Sequence, residues 1–293
     1  MRILLIGCGY TVSVLAARLR ARGDAVSAVV RTETSATLLR TRGLSVRIAD
    51  CRGAADARHA CSGAYEAVVF SLSAGGGDAR QTYVDALRHV LDALEASPPR
   101  TFLFAGSASV YGRADGGWAH ETMPPEPVAP AARILLEAEE LVAARCASRF
   151  SAAILRFSAI YGPGRAHFLD RLRHGEAILP GRADTWMNRI YRDDAAAAIE
   201  RLLLQTPSET GCAIFNATDD EPARQEDVAA WICGKLGRPP PRFDETAPPT
   251  RRRAGANRRL SNARLRATGW APKFPNYREG FGALLALPAH HHS

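Results

Sequence analysis

The sequence predicts an α/β protein in which a doubly wound parallel sheet is followed by a smaller carboxyl-terminal lobe. Over the first 162 residues, six short apolar runs rich in β-branched residues alternate with segments of helical periodicity. A glycine turn joins the first apolar run to the first helix, which is the arrangement of a Rossmann βαβ unit. Beyond residue 162, proline and glycine become frequent and the helical segments become shorter.

The six predicted strands have the length and composition of strands that are buried on both faces. They are RILLIG (2–7), AVSAVVR (25–31), SVRIAD (45–50), EAVVFSLS (66–73), RTFLFAGS (100–107) and SAAILRFSAIYG (151–162). Helices are predicted at 11–22, 80–96 and 133–147, where apolar residues recur at helical spacing. Helical crossovers between successive strands make the strands parallel, so residues 1–162 are predicted to form one Rossmann domain.

Residues 163–289 are predicted to form a mixed α/β lobe. Shorter helices are expected at 193–205 and 225–237, and the strand CAIFNAT (212–218) is expected to return to the core sheet. Ligands of doubly wound sheets bind at the carboxyl ends of the strands. The lobe is therefore expected to cover that edge and to bind the substrate.

Composition excludes several classes of protein. The chain of 293 residues is 46% hydrophobic and carries a net charge of +8, but lysine occurs only at Lys235 and Lys273 and no nucleic-acid-binding motif accompanies the arginines. No apolar run approaches the roughly 18 residues that span a bilayer, and MRILLIG lacks the order of a signal peptide. We therefore expect a cytoplasmic protein with neither a nucleic-acid nor a membrane partner. Six cysteines without a CxxC pair indicate reduced thiols and no metal site.

The stretch GCGYTV, after the first strand, resembles a phosphate-binding turn. Gly7 permits a tight bend, and Gly9 lets the backbone approach a pyrophosphate at the start of a helix. Val12 stands where a third glycine would allow close packing of the helix on the strand. We predict that Gly7, Gly9, Tyr10 and Thr11 bind the cofactor; the alternative is a turn that only connects strand and helix.

The end of the second strand indicates which dinucleotide is bound. Arg31 and Thr32 stand where an acidic residue would bind the ribose hydroxyls of NAD. A cation there suits the 2′-phosphate of NADP, so NADP is the predicted cofactor and NAD the second choice. Arg31 could instead be a solvated surface arginine. Asp50, which closes the third predicted strand, and Ser71, within the fourth, complete the predicted cofactor site. Asp50 could accept a hydrogen bond from the adenine amino group or could be an ordinary turn aspartate.

Further motifs resemble those of the extended short-chain dehydrogenase/reductases and occur in the order found in that family. More narrowly, they resemble its atypical NAD-dependent epimerase/dehydratase-like members. These motifs are GSASVYG (106–112), ILRFSAIYGPGR (154–165), RIYRDD (189–194), NATDDEP (216–222), RRLSNARLRATGW (258–270) and PNYREG (275–280). The resemblance covers nearly the whole chain. It implies a dinucleotide cofactor, a small-molecule substrate and a homodimer, which is the usual assembly in that family.

The resemblance also implies the catalytic residues. Active members use a serine after the fifth strand and a YxxxK pair on the next helix, and Ser107 matches the serine. Ala129 stands at the tyrosine position and Arg133 at the lysine position, so the pair itself is absent. Arg133 could still bind cofactor or substrate. Tyr111 is the predicted proton donor, with water as an alternative; Tyr111 could also simply pack beneath the loop.

Three residues are predicted to contact the substrate. They are Ser109, Arg165 and Arg253, the last by resemblance to an arginine that pairs with a substrate diphosphate. The sequence thus predicts an NADP-dependent oxidoreductase or epimerase-like enzyme acting on a polar carbonyl compound, such as a nucleotide-linked sugar. The alternative is a protein that binds NADP without catalysis, as a redox-state sensor.

Overall fold

The computed structural model describes residues 1–146, 150–205, 211–246 and 257–287. Its strands are β1 (Arg2–Ile6), β2 (Ala25–Val30), β3 (Ser45–Ile48), β4 (Ala67–Phe70), β5 (Thr101–Ser107), β6 (Trp118–Ala119), β7 (Ser151–Phe157), β8 (Ala159–Tyr161), β9 (Ile178–Pro180), β10 (Trp186–Met187), β11 (Arg189–Tyr191), β12 (Gly211–Ala217), β13 (Ala223–Arg224), β14 (Arg242–Asp244) and β15 (Arg259–Leu260). Its helices are α1 (Val12–Ala21), α2 (Glu33–Thr41), α3 (Ala54–Ala60), α4 (Ala86–Ala93), α5 (Pro130–Cys146), α6 (His167–Arg173), α7 (Arg192–Leu204), α8 (Gln225–Lys235), α9 (Ala263–Ala267) and α10 (Tyr277–Leu285).

Seven parallel strands form the central sheet, in the order β12-β7-β5-β4-β1-β2-β3. The chain leaves β1 toward one edge through β2 and β3, and returns through β4 toward the other edge. This reversal is what makes the sheet doubly wound, and it creates a crevice at the carboxyl ends of the central strands. The predicted fold class is confirmed.

Helices cover both faces of the sheet, as the apolar alternation within the strands requires. In β1, Leu4 and Ile6 belong to the hydrophobic cluster beneath α3, α4 and α5. Ile3 and Leu5 belong to the opposite cluster, beneath α1, α2 and α7. All four side chains are fully buried, which explains why this strand is a continuous apolar run.

Two predicted elements differ from the structure. The run 151–162 is not one strand: it divides into β7, in the central sheet, and β8, which pairs with β11 outside that sheet. Between the two strands, the Ser158 amide donates to the Ala217 carbonyl as the chain leaves the sheet. The predicted helix 80–96 begins with a π-helical turn, Gln81–Asp85, before α4. Both differences depend on distant neighbours that a local periodicity does not encode.

A third hydrophobic cluster is formed by residues from Tyr161 onward, on α6, α8 and α10 and the short strands near them. Trp270 instead packs in the cluster beneath α1, α2 and α7. β12 joins the central sheet beside β7 in parallel register, with Gly211 opposite Ser151. Within the described ranges, no helix is long and apolar enough to cross a membrane. All six cysteines are free thiols, four of them buried.

Candidate active site

The glycine turn after β1 has the geometry that a bound phosphate requires. Gly7 has φ +85°, and a Cβ atom there would stand 2.5 Å from the Ser71 carbonyl oxygen. Gly9 is exposed, and a Cβ atom at this residue would meet nothing within 4 Å. The turn therefore packs tightly on β4 through Gly7 and presents bare backbone through Gly9, at the amino terminus of the ten-residue helix α1. These residues fit a dinucleotide pyrophosphate.

Tyr10 links this turn to the YGPGR segment. Its hydroxyl donates to the Pro163 carbonyl at 3.0 Å. The guanidinium carbons of Arg165 and Arg192 lie 5.5 Å and 5.2 Å from the centre of its ring. Burial raises the pKa of Tyr10 to about 12, so it remains a neutral donor at physiological pH. Arg165, predicted to contact substrate, is thus held beside the cofactor turn, together with Arg192, to which the sequence reasoning assigned no role.

The adenosine end of the predicted cofactor site contains two arginines and one carboxylate. Arg31 is exposed and has no hydrogen-bond or ion-pair partner in the described part of the chain. Asp50 accepts hydrogen bonds from Arg52 Nε at 2.9 Å and Nη2 at 2.5 Å, and these bonds, with a smaller contribution from Arg31, lower the pKa of Asp50. Thr32 caps α2 by accepting from the Ser35 amide at 3.3 Å.

Ser107 and Ser109 lie together at the carboxyl edge of the sheet. Ser107 ends β5 opposite Phe157 of β7, and its Oγ accepts from the Ser109 amide at 3.2 Å. A short 3₁₀ turn, Ala108–Val110, follows directly. Both serines are partly accessible, and Ser71 leaves the neighbouring strand β4 at the same edge. The three serines therefore occupy the crevice edge that the fold reserves for ligands.

Tyr111 is directed into the protein interior. Its side chain is only 2% exposed, and its hydroxyl donates to Asn216 Oδ1 at 3.0 Å. Asn216 is itself fully buried and donates to the carbonyls of Ala119 and Ser261. Burial raises the pKa of Tyr111. This geometry corresponds to the packed alternative for Tyr111 and leaves its hydroxyl engaged in a structural network.

Arg133 lies on the exposed first turn of α5. Its Nε donates to the Pro127 carbonyl at 3.3 Å, and no hydrogen bond in the described part of the chain joins its side chain to Ser107. The Ala129 carbonyl accepts from the amides of Ala132 and Arg133, so the residue that the resemblance aligns with the tyrosine contributes its carbonyl to the start of the helix. Arg253, predicted to bind a diphosphate, lies outside the described residues.

The sequence reasoning missed two arginines near this edge, of which Arg156 is buried and Arg258 is partly buried. Arg156, 2% exposed, donates to Glu139 at 2.6–3.1 Å, and its guanidinium carbon lies 4.8 Å from the centre of the Tyr111 ring. Arg258 Nη2 donates to the Ala108 carbonyl at 2.6 Å. Both residues belong to motifs that the sequence makes visible, ILRFSAIYG and RRLSNARL, but nothing in either motif indicates burial.

Comparison with known proteins places this geometry in a family. The model of the NAD dependent epimerase/dehydratase family matches residues 3–217. The chain belongs to the NAD-dependent epimerase/dehydratase family. A 3-diazoavenalumate denitrifying reductase from a Streptomyces species is 30% identical, with 96% of this chain and 99% of the relative aligned. The family is described as one of NAD-dependent epimerases and dehydratases, and this relative is named a reductase.

Solved structures of the epimerase/dehydratase family agree with this assignment. A protein from Methylobacillus flagellatus, described as an NAD-dependent epimerase/dehydratase, is 32% identical with a TM-score of 0.75, and 97% of each chain is covered. The UDP-glucose 4-epimerase of Thermus thermophilus, solved in complex with NAD, is 22% identical with a TM-score of 0.78. It covers 98% of this chain and is itself covered completely, and at this identity the likeness establishes the shared fold.

Proposed function

We propose that this protein is an NADP-dependent reductase of a small polar substrate, and that it works without a tyrosine proton donor. The observation that carries the proposal is the open backbone face of Gly9 at the start of α1, with Arg165 and Arg192 held beside it on Tyr10. A dinucleotide pyrophosphate is the ligand that matches bare amides, a helix amino terminus and nearby guanidinium groups.

The choice of NADP rests on the charges at the end of β2. Asp50 is hydrogen-bonded to Arg52, whereas the guanidinium of Arg31 is available to bind a 2′-phosphate. In this proposal Gly7, Gly9 and Thr11 hold the pyrophosphate, Arg31 and Thr32 hold the phosphorylated ribose, and Ser71 lines the path to the crevice. When bound, the reduced cofactor supplies a hydride.

The protein's own residues constrain the substrate. Ser107 presents a hydroxyl at the crevice edge, where it can donate a hydrogen bond to an acceptor atom. Ala129 has no proton to give, and a guanidinium such as that of Arg133 serves as a hydrogen-bond donor and not as a general acid. The Tyr111 hydroxyl is engaged with Asn216. We infer that the acceptor takes its proton from water or needs none.

A relative's name supports that second possibility. The 30% identical Streptomyces protein is named a denitrifying reductase of a diazo compound. When a hydride is transferred to an arenediazonium ion, its electron pair forms a C–H bond, the C–N bond breaks and N₂ leaves with that bond's electrons, so no proton has to be supplied. A substrate of this electrophilic class would make the missing YxxxK pair dispensable, whereas a ketone or aldehyde would not.

The test is NADPH oxidation followed by absorbance, with an arenediazonium salt and an aromatic aldehyde as parallel acceptors and enzyme-free blanks for each. We expect turnover with the diazonium, N₂ release in equal amount, and a strong loss of rate in Ser107→Ala. Ser97→Ala, an exposed serine after α4, serves as the matched control. An unchanged rate in Ser107→Ala would refute the assigned role of Ser107.

The loss of the YxxxK pair also favours a second candidate, a sensor that binds NADP without turnover. Titration of the purified protein with NADPH and with NADH, followed by nicotinamide fluorescence, measures binding alone. Tight and selective NADPH binding with no acceptor reduced would support the sensor. Hydride consumption with any acceptor would exclude it, and failure to bind either dinucleotide would contradict both candidates.

A further inference from the structure

Arg258 is a partly buried cation that has no carboxylate partner among the described residues. One hydrogen bond, from Nη2 to the Ala108 carbonyl, is the only one its guanidinium makes in the described part of the chain, and Nε is buried with no partner. Burial lowers the pKa of Arg258 to about 10. The neighbouring segment 247–256 contains no acidic residue in its sequence. A cation that is partly withdrawn from water without a counter-charge is stabilised when an anion joins it.

Arg156 shows how this protein buries an arginine for structural purposes. Its guanidinium makes three hydrogen bonds to the Glu139 carboxylate, at 3.1, 3.0 and 2.6 Å, and both side chains are nearly inaccessible. Arg258 lies in the same region, close enough for its charge to interact with Tyr111. Its guanidinium, however, donates its hydrogen bond to a neutral carbonyl and not to a carboxylate. Arg156 therefore belongs to a complete ion pair, whereas Arg258 lacks its anionic partner.

The backbone around Arg258 is held rigidly. Asn188 Nδ2 donates to the Arg258 carbonyl at 2.9 Å, and Asn188 Oδ1 accepts from the Leu260 amide at 2.7 Å. The Arg259 amide donates to the Gly117 carbonyl at 2.9 Å as β15 pairs with β6. These bonds hold the backbone that carries Arg258, and the bond to the Ala108 carbonyl holds one end of its guanidinium, so little ordering cost remains to be paid on binding.

We propose that Arg258 forms an oxyanion-binding subsite that receives a carboxylate or phosphate group of the substrate. Ala108, which accepts the Arg258 hydrogen bond, is the residue immediately after Ser107. In this proposal the anion binds to the terminal Nη donors, on the side of the residue next to Ser107, and the planar guanidinium suits two oxygens of one group. This subsite selects anionic substrates and orients them toward the reacting edge. It deepens the function proposed above, on which its catalytic meaning rests.

The test measures binding without cofactor or turnover. Isothermal titration of the full chain uses benzoate and cinnamate as carboxylate probes, and inorganic phosphate and UDP as phosphate probes. We expect one class to bind the wild type at one site and Arg258→Gln to weaken that binding about tenfold to a hundredfold. Arg258→Lys, which keeps the charge but loses the fork, should fall between them. Arg264→Gln, an exposed arginine on α9, provides the matched control.

Each outcome decides the proposal. Preference for benzoate or cinnamate identifies a carboxylate substrate, and preference for phosphate or UDP identifies a phosphorylated one. Equal binding by wild type and Arg258→Gln overturns the subsite, as does a wild type that binds no probe at millimolar concentration. Thermal unfolding adds a second readout: an incomplete ion pair predicts that Arg258→Met is at least as stable as wild type, whereas a structural arginine predicts a loss. Probe binding without any NADPH oxidation would refute the reductase while leaving the subsite standing.

Discussion

The buried pair of Arg156 and Glu139 yields the sharpest stability prediction. Gly106, opposite Arg156 in the β5–β7 register, lies against the Glu139 carboxylate, so the pair supports the strand end that carries Ser107. In Glu139→Leu, the Arg156 guanidinium, 2% exposed, loses its carboxylate partner and remains as an uncompensated buried charge. Breaking such a pair costs about 3–5 kcal/mol, a large share of the roughly 5–15 kcal/mol that stabilises a typical domain.

Urea unfolding measures this loss. With a slope of about 2–3 kcal/mol per molar urea, the midpoint should fall by about 1–2.5 M. Glu137→Leu is the matched control, because Glu137 lies on the same helix, α5, as Glu139. Its bidentate bonds to Arg80 are as short, at 2.7 and 2.6 Å, but its pair is exposed to water. The control should change little, because solvent replaces the lost partner.

A double variant completes the argument. Glu139→Leu with Arg156→Met removes both charges and should recover much of the stability lost in the single variant. Equal losses in Glu139→Leu and Glu137→Leu would refute the reasoning, because burial would then have no bearing on the strength of the pair. A double variant less stable than either single variant would refute it as well.

Three further predictions concern the cofactor and the proton. Gly9→Ala should keep the wild-type melting temperature, because the added Cβ meets no neighbour. The same variant should weaken NADPH binding at least tenfold in fluorescence titration. Undiminished affinity would exclude phosphate contact at this turn. Arg31→Ala should lower affinity for NADPH about tenfold and leave NADH affinity unchanged, and a parallel loss for both would contradict the 2′-phosphate assignment. Tyr111→Phe should lower the free energy of unfolding by about 1 kcal/mol, because the hydrogen bond to Asn216 is lost, and should preserve turnover. If a folded variant has no turnover, Tyr111 is the proton donor after all.

The fold was predictable because its signals are local. The apolar run of β1, the turn at Gly7 and Gly9 and the periodicity of α1 lie within 20 consecutive residues, and alternation with helices then determines a parallel doubly wound sheet. The missing YxxxK pair was equally visible, because Ala129 and Arg133 are read directly from the sequence.

What the sequence by itself determined is therefore the fold class, the glycine turn after the first strand and the absence of a YxxxK pair. Only the tertiary structure decided which distant side chains meet. It joined Tyr111 to Asn216, 105 residues away, placed Arg165 on Tyr10, and brought Arg258 to Ala108 across 150 residues. The physical reason is that strand and helix patterns follow backbone periodicity, whereas burial and ion pairing depend on how separate elements pack, which no local pattern records.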